Sequence, residues 1–440
     1  MRNSAIARLV VMSVLTIALL VPLTLAYGTV SERASRRDAA VAEVSATWGG
    51  PQVIGGPVLD VPYTVMWIDN SGRPQRAACH AYLLPRDLQI EGTVYPETRS
   101  RGIFDVIVYR STLKMTGRFV RPDLAWVRPV PDRIDWDQAA VHVGVSDPRG
   151  LTRRAALTWR GRTLPFTGGA ADVGVFHAGI HASAAALEDA PAGAELPFDF
   201  TLEMNGTRDL RFLPGAEETI VTLTSAWPHP SFAGMALPET RRVDAGGFTA
   251  RWRVQDFGRP YPAKWTTSEM NREHLGVQSI ESAFGVSLIR PVDIYQQAER
   301  AVKYAVLFIL LTFLVFFLWE VFSTVLLHPV QYAFVGFAMC IFYLLLVSLS
   351  EHTGFDTAFA VSSGVTTILI ASYARSVLRG LRQAASVFAA LATVYSFLYL
   401  LLRLEDYALL AGSVGLFAVL ACLMFITRRT NWYELKLGLQ

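Results

Sequence analysis

Glu320 is the acidic residue whose setting most invites chemistry, because the stretch before it, Tyr304–Trp319, carries no charge. A carboxylate beside an apolar run can serve as a proton or ion site, or can reach to the membrane interface. The uncharged stretch amounts to about 24 Å of helix, short of the ~30 Å bilayer core, so Glu320 is expected at or just inside one boundary. Arg375 and Arg379 are candidate neighbours on the same side. His328, Gln331, Glu351 and His352 have the side chains of a metal site, but His328 and His352 lie about 36 Å apart on one helix. Adjacent Glu351 and His352 do not face the same way. These four residues are therefore read as helix caps and interface anchors.

Three weaker patterns occur between the first and second apolar runs. His177 and His181 have the i,i+4 spacing of a helical metal pair, but Gly174 and Gly179 argue for strand and turn. His229 sits between prolines in Trp227-Pro-His-Pro230, a rigid turn. Ser111-Thr-Leu-Lys114 has the Ser-x-x-Lys form of penicillin-binding enzymes, but the chain lacks Ser-Asp-Asn, and Lys114-Met-Thr-Gly117 is not Lys-Thr-Gly. The chain also lacks a Gly-x-Ser-x-Gly elbow, a phosphate loop, a dinucleotide fingerprint and His-Glu-x-x-His. No catalytic, cofactor-binding or metal residues are assigned. A non-enzymatic protein without a cofactor is expected, with Glu320, His328, Gln331, Glu351 and His352 as its candidate functional residues.

The elements that must position these residues are mostly membrane spans. Apolar runs at 9–28, 304–324, 330–350, 357–374, 385–402 and 407–427 predict six transmembrane helices. The first run follows Arg2 and Arg8 and exceeds the usual 7–15 residues of a signal-peptide core. No Ala-x-Ala pattern follows it, so it reads as an uncleaved anchor. Ser31–Thr47 continues it as a juxtamembrane helix that ends at Trp48-Gly49-Gly50-Pro51. Arg375, Arg379 and Arg382 mark one loop as cytoplasmic, and Arg428, Arg429 and Lys436 mark the tail. Residues 1–8 and 428–440 are then cytoplasmic, and 30–300 lies on the other side.

That 30–300 block reads as antiparallel β. Phe198, Phe200, Leu202 and Met204 alternate with Asp199, Thr201, Glu203 and Asn205, and Asn205-Gly206 follows as a hairpin signal. Phe248–Gln255 alternates in the same way, and Ile220–Thr224 and Leu157–Arg160 show shorter versions. The fold class is thus a membrane α+β protein, with one N-terminal and five C-terminal helices around a large β-rich domain. A formal net charge of +3 provides no basic field for nucleic acid. Of three cysteines only Cys79 lies in the soluble block, so no disulfide within that block is expected. Mean hydropathy is +0.32, as a polytopic chain with a sizeable soluble part requires.

Several segments resemble one family end to end. They include Ser31-Glu-Arg33, Trp48-Gly49 and Gly56-Pro57, then Arg101-Gly-Ile103, Gly179-Ile-His-Ala182 and Trp227-Pro-His-Pro-Ser-Phe232 with Gly234 and Leu237-Pro238. Pro291-Val-Asp293 with Tyr295, Arg300-Ala301 and Lys303-Tyr304 follow. The membrane block adds His328-Pro-Val-Gln-Tyr332, Phe342-Tyr-Leu-Leu-Leu346, Ser348-Leu-Ser-Glu-His352 and Gly354-Phe355. On these residues the chain resembles the CreD family of bacterial inner-membrane proteins. Gly206-Thr207 departs from the family's Gly-Ser, and the opening helix is richer in alanine. The resemblance implies an inner-membrane location with a periplasmic domain and a role in envelope integrity and stress response. It carries over no catalytic residues. The lipid bilayer and cell-wall or envelope proteins are the expected partners, with no nucleic acid and no oligomeric state assigned. The alternative reading is a transporter or lipid-handling channel with Glu320 in a proton or substrate path. A membrane-bound hydrolase ranks third.

Overall fold

The computed structural model describes residues 5–68, 73–169, 173–184, 187, 190–267, 279–290, 293–322, 327–378, 380–404 and 407–428. Arg379, Arg429 and Lys436, used above for orientation, lie outside the described residues. The chain divides into two compact units. One is Met1–Asp38 with Val292–Gln440, and the other is Ala39–Pro291.

The first unit is helical. Helix α1 is Ala5–Trp48, α2 Ile294–Phe322, α3 Pro329–Thr353, α4 Phe355–Leu378, α5 Leu381–Arg403 and α6 Ala408–Thr427. All six, among the described residues, are long and apolar enough to cross a membrane. Helix α1 is continuous from the apolar run through the juxtamembrane stretch and stops before Gly49, Gly50 and Pro51, as their conformations demand. Helix α2 begins ten residues before the apolar run at 304, so a charged turn precedes its buried face.

Large side chains fill the centre of this unit, with Leu19, Phe308, Phe313, Phe342, Tyr343 and Leu398 all buried. Gly336 lets α3 approach α1 closely. A Cβ there would fall 2.2 Å from the Leu19 side chain and 3.2 Å from Phe313. The outer surface remains apolar, with Leu409 87% and Phe417 72% exposed on α6. Such a surface is costly in water and neutral against lipid tails.

The second unit is two sheets. In the eight-stranded sheet the order is Thr240–Asp244, Gly247–Gln255, Glu218–Ser225, Asp87–Arg101, Phe104–Val120, Glu195–Thr207, Ala156–Trp159 and Arg162–Pro165. The ten-stranded sheet is built on Gln52–Ile68, which pairs with Asp209–Phe212, Pro74–Leu83, Arg133–Ile134 and Ala140–Val145. Most pairings are antiparallel, as expected. Among the described residues two are parallel, Gln52–Ile54 on Leu210–Phe212 and Glu218–Ser225 on Asp87–Val94. One continuous core holds Trp159, Phe119, Phe200, Phe212, Trp252 and Phe284. Each such side chain contributes about 1.5–3 kcal/mol when fully buried.

The alternating strands at 198–205 and 248–255 form as the pattern predicts. The Asn205-Gly206 hairpin does not. The strand runs on to Thr207, paired residue for residue with Val108–Val120. The turn comes at Arg208, whose φ is +61°, and the chain then crosses to the other sheet as Asp209–Phe212. Glycine at 206 serves packing instead. A Cβ there would lie 2.3 Å from the buried Tyr109 ring.

Candidate functional site

The two ends of α3 hold the polar residues singled out by sequence. At its N-terminus His328 is the N-cap: its Nδ1 accepts from Val330 N–H at 3.3 Å, and Gln331 Oε1 accepts from His328 N–H at 2.9 Å. This is a capping box, and it satisfies backbone donors that a helix start leaves bare. Glu320, near the end of α2, is 1% exposed. Its Oε1 accepts from Leu327 N–H and its Oε2 from Tyr332 OH, both at 3.0 Å. Tyr332 in turn packs edge-on against Phe313 at 5.5 Å. The carboxylate thus ties the α2–α3 connection and the first turn of α3 to α2.

At the other end of α3, Glu351 is the hub. Its side chain is 6% exposed and accepts from Tyr295 OH at 3.0 Å, with Arg33 at 3.6 Å. Asp293 accepts from Tyr295 N–H at 3.0 Å and pairs with Arg37, whose guanidinium lies over the Tyr295 ring. One turn further along α2, Glu299 accepts from Tyr27 OH at 3.0 Å and pairs with Lys303 at 2.8 Å. Three helices are latched by this row: α1 through Tyr27, Arg33 and Arg37, α2 through Tyr295, Glu299 and the preceding Asp293, and α3 through Glu351. Hydrogen bonds to charged groups contribute about 1.5–3 kcal/mol each when shielded, against about 0–1 kcal/mol for exposed pairs. His352 next door is exposed and is not part of the latch. Glu320 and His328 thus lie at one end of α3, and Glu351 and His352 at the other.

Sequence reading missed a row of titratable groups in the ten-stranded sheet. His80, Asp60, His142 and His181 occupy four adjacent strands. Asp60 stands opposite Ala140, and His142 stands opposite both Val58 and His181. His80 Nδ1 lies 2.9 Å from Asp60 Oδ1, and His142 Nε2 lies 3.2 Å from Asp60 Oδ2. The His142 and His181 rings are 5.6 Å apart, and His181 Nε2 meets Thr167 Oγ1 at 3.0 Å. Burial pushes the Asp60 carboxyl up, but the His142 and His80 imidazoles outweigh this and hold it below the ordinary range. Burial, then the neighbouring His142, lowers the His181 pKa.

The i,i+4 pairing of His177 with His181 does not exist, because Gly179–Ser183 is a strand. Among the described residues, no three His, Cys, Asp or Glu have metal-ligand geometry. Ser111 and Lys114 point to opposite faces of their strand, Ser111 buried and Lys114 exposed, so no Ser-Lys dyad forms. His229 is held structurally: Trp227 Nε1 donates to its carbonyl at 3.1 Å.

Six membrane-length helices with a two-sheet domain inserted between the first and second define a polytopic membrane protein. The family model described as "Inner membrane protein CreD" matches residues 4–433. The chain is 33% identical over 423 residues to inner membrane protein CreD of Escherichia coli (strain K12), covering 95% of this chain and 92% of that protein. The chain belongs to the CreD family of inner membrane proteins.

Proposed function

We propose that this protein is a non-enzymatic support of cell-envelope integrity and of the envelope-stress response. Both termini are cytoplasmic, and Ala39–Pro291 is exported to meet cell-wall or envelope partners. The latch at the C-terminal end of α3 carries this reading. Its residues fasten α1 and α2, the helices between which the sheet domain is inserted in sequence. A latch of this kind steadies the two helices from which the inserted chain departs and to which it returns. The arrangement at Glu320 favours it over the transport alternative, since both carboxylate oxygens accept bonds that close a loop. The orientation is supported by arginines at the α4–α5 connection and beyond α6. Crosslinking in intact cells followed by identification of partners tests the reading. Recovery of wall or envelope proteins is expected, and a crosslinked set without any would overturn it.

A further inference from the structure

The eight-stranded sheet turns one face to the core and the other outward, since residues alternate along each strand. Val94, Leu113, Leu223 and Trp252 face inward and are buried. On the outward face, strand register sets a row of like residues side by side. Thr112 is opposite Thr93, Thr93 opposite Thr224, Thr224 opposite Thr249, and Thr249 opposite Arg242. Neighbouring strands lie about 4.8 Å apart, so the four threonines form a ladder about 14 Å long that ends at a guanidinium. No sequence motif shows this, because the five residues come from five separate strands.

An open cleft of about 460 Å³ lies over this part of the sheet, lined by Thr93, Tyr95, Thr224, Arg242, Asp244 and Thr249. Its size falls within the range of small-molecule sites. Tyr95, two residues beyond Thr93 on the same face, is 55% exposed. Arg242 Nε lies 3.2 Å from Asp244 Oδ2, and Asp244 Oδ1 accepts from Gly246 N–H at 2.9 Å. The Asp244 carboxylate is thus tied to the turn backbone, with the exposed Arg242 guanidinium beside it at the cleft edge. Thr224 Oγ1 donates to Gly92 O at 3.4 Å, which leaves its lone pairs directed as acceptors.

An exposed aromatic ring, a hydroxyl ladder and a carboxylate–guanidinium pair are complementary to a pyranose. The sugar's C–H face lies on the ring, and its rim of hydroxyls needs donors and acceptors together. Sheet faces bind oligosaccharides in other folds. The cleft also reaches Thr240–Asp244, the edge strand of the sheet, and touches Val94 and Phe248, so an extended peptide is the competing occupant and is tested beside the sugars.

The geometry points to a saccharide-binding cleft on the outward face of the eight-stranded sheet, with a pyranose stacked on Tyr95 and hydrogen-bonded to Thr93, Thr224, Thr249 and the Arg242–Asp244 pair. The proposal rests on the exported placement of the domain only for the cellular source of the sugar.

The test uses the full chain in lipid nanodiscs, free of maltoside detergents, which carry competing sugars. N-acetylglucosamine tetramer and maltotetraose are titrated by calorimetry. Saturable binding of at least one is expected. Tyr95→Ala should weaken it about tenfold, equivalent to about 1.4 kcal/mol. The isosteric Thr249→Val should weaken it severalfold. Both positions are at the surface, so unfolding midpoints should match the parent. Absence of saturable binding for both tetrasaccharides, equal affinity in parent and Tyr95→Ala, or competition by an extended peptide but not by free sugar would each overturn the proposal. Binding in nanodiscs does not depend on orientation in the cell, so a negative result here is distinct from a failure of the exported placement.

Discussion

Glu320 separates a structural role from a proton path most cleanly. Replacing it with alanine strands two donors, Leu327 N–H and Tyr332 OH, in a site where the parent side chain is 1% exposed. A buried donor left without an acceptor costs about 1–3 kcal/mol, and side-chain bonds inside membranes average nearer 0.6 kcal/mol. The two losses together amount to roughly 1–6 kcal/mol. Glutamine keeps the shape, its amide oxygen accepts from Leu327 N–H and its NH2 donates to the Tyr332 hydroxyl oxygen, so Glu320→Gln should cost about 1 kcal/mol or less. Unfolding of the purified protein in bicelles, followed by steric trapping, reads both values. The anchoring account requires the order parent, glutamine, alanine, with glutamine close to parent. It also requires Glu320→Gln cells to keep their envelope-stress tolerance. If alanine unfolds with the parent, or if glutamine abolishes tolerance at normal expression and stability, the reasoning fails and the carboxylate acts as a proton or ion site.

Further predictions concern the latch, the sheets and pH. Glu351→Ala removes the acceptor of Tyr295 and the partner of Arg33, so it should destabilise the helical unit by about 2–4 kcal/mol; Glu351→Asp, one methylene shorter, should lose less, and equal unfolding of all three proteins would refute the latch. Gly206→Ala forces a Cβ to 2.3 Å from the Tyr109 ring and should lower the unfolding midpoint of the sheet domain, read by tryptophan fluorescence; an unchanged midpoint would contradict the packing. His181 has a lowered pKa, so the folded state favours its neutral ring; stability is full above about pH 6.5 and falls as pH drops below that value toward the lowered one. Asp60 is also lowered, so its contribution is present above about pH 4 and is lost as pH falls through its folded value. Unfolding midpoints between pH 8 and 5 should therefore decline below pH 6.5, and His181→Gln should flatten that part of the curve; a curve identical to the parent's would refute the assignment.

Six helices could be read directly from sequence because an 18-residue apolar window has few alternatives in a chain of this kind. The His328–Gln331 cap was equally legible, since a capping box is a local pattern. Strand alternation located Phe198–Asn205 and Phe248–Gln255 for the same reason. The Asn205-Gly206 turn misled because local propensity yields to thirteen residues of continuous pairing, and because glycine there answers a packing demand from Tyr109. The latch was half visible: Arg33, Asp293, Tyr295 and Glu351 all stood in the family signature, but more than 250 residues separate Arg33 from its partners. The His80–Asp60–His142–His181 row and the threonine ladder depend on strand register, which no local pattern reveals. A single polar residue inside an apolar strand, such as Asp60 in Val58-Leu-Asp-Val61, was the one available signal for the row.

The proposed orientation puts the sheet domain outside the cytoplasm and the arginine-bearing α4–α5 connection within. Phe257, 92% exposed on a turn of the sheet domain, and Leu381, 69% exposed at the start of α5, are suitable reporters. With the three native cysteines replaced by alanine, Phe257→Cys and Leu381→Cys are treated in intact cells with a membrane-impermeant maleimide that passes the outer membrane. The account predicts labelling of Phe257→Cys at once and of Leu381→Cys only after the inner membrane is permeabilised. The reverse pattern would contradict it.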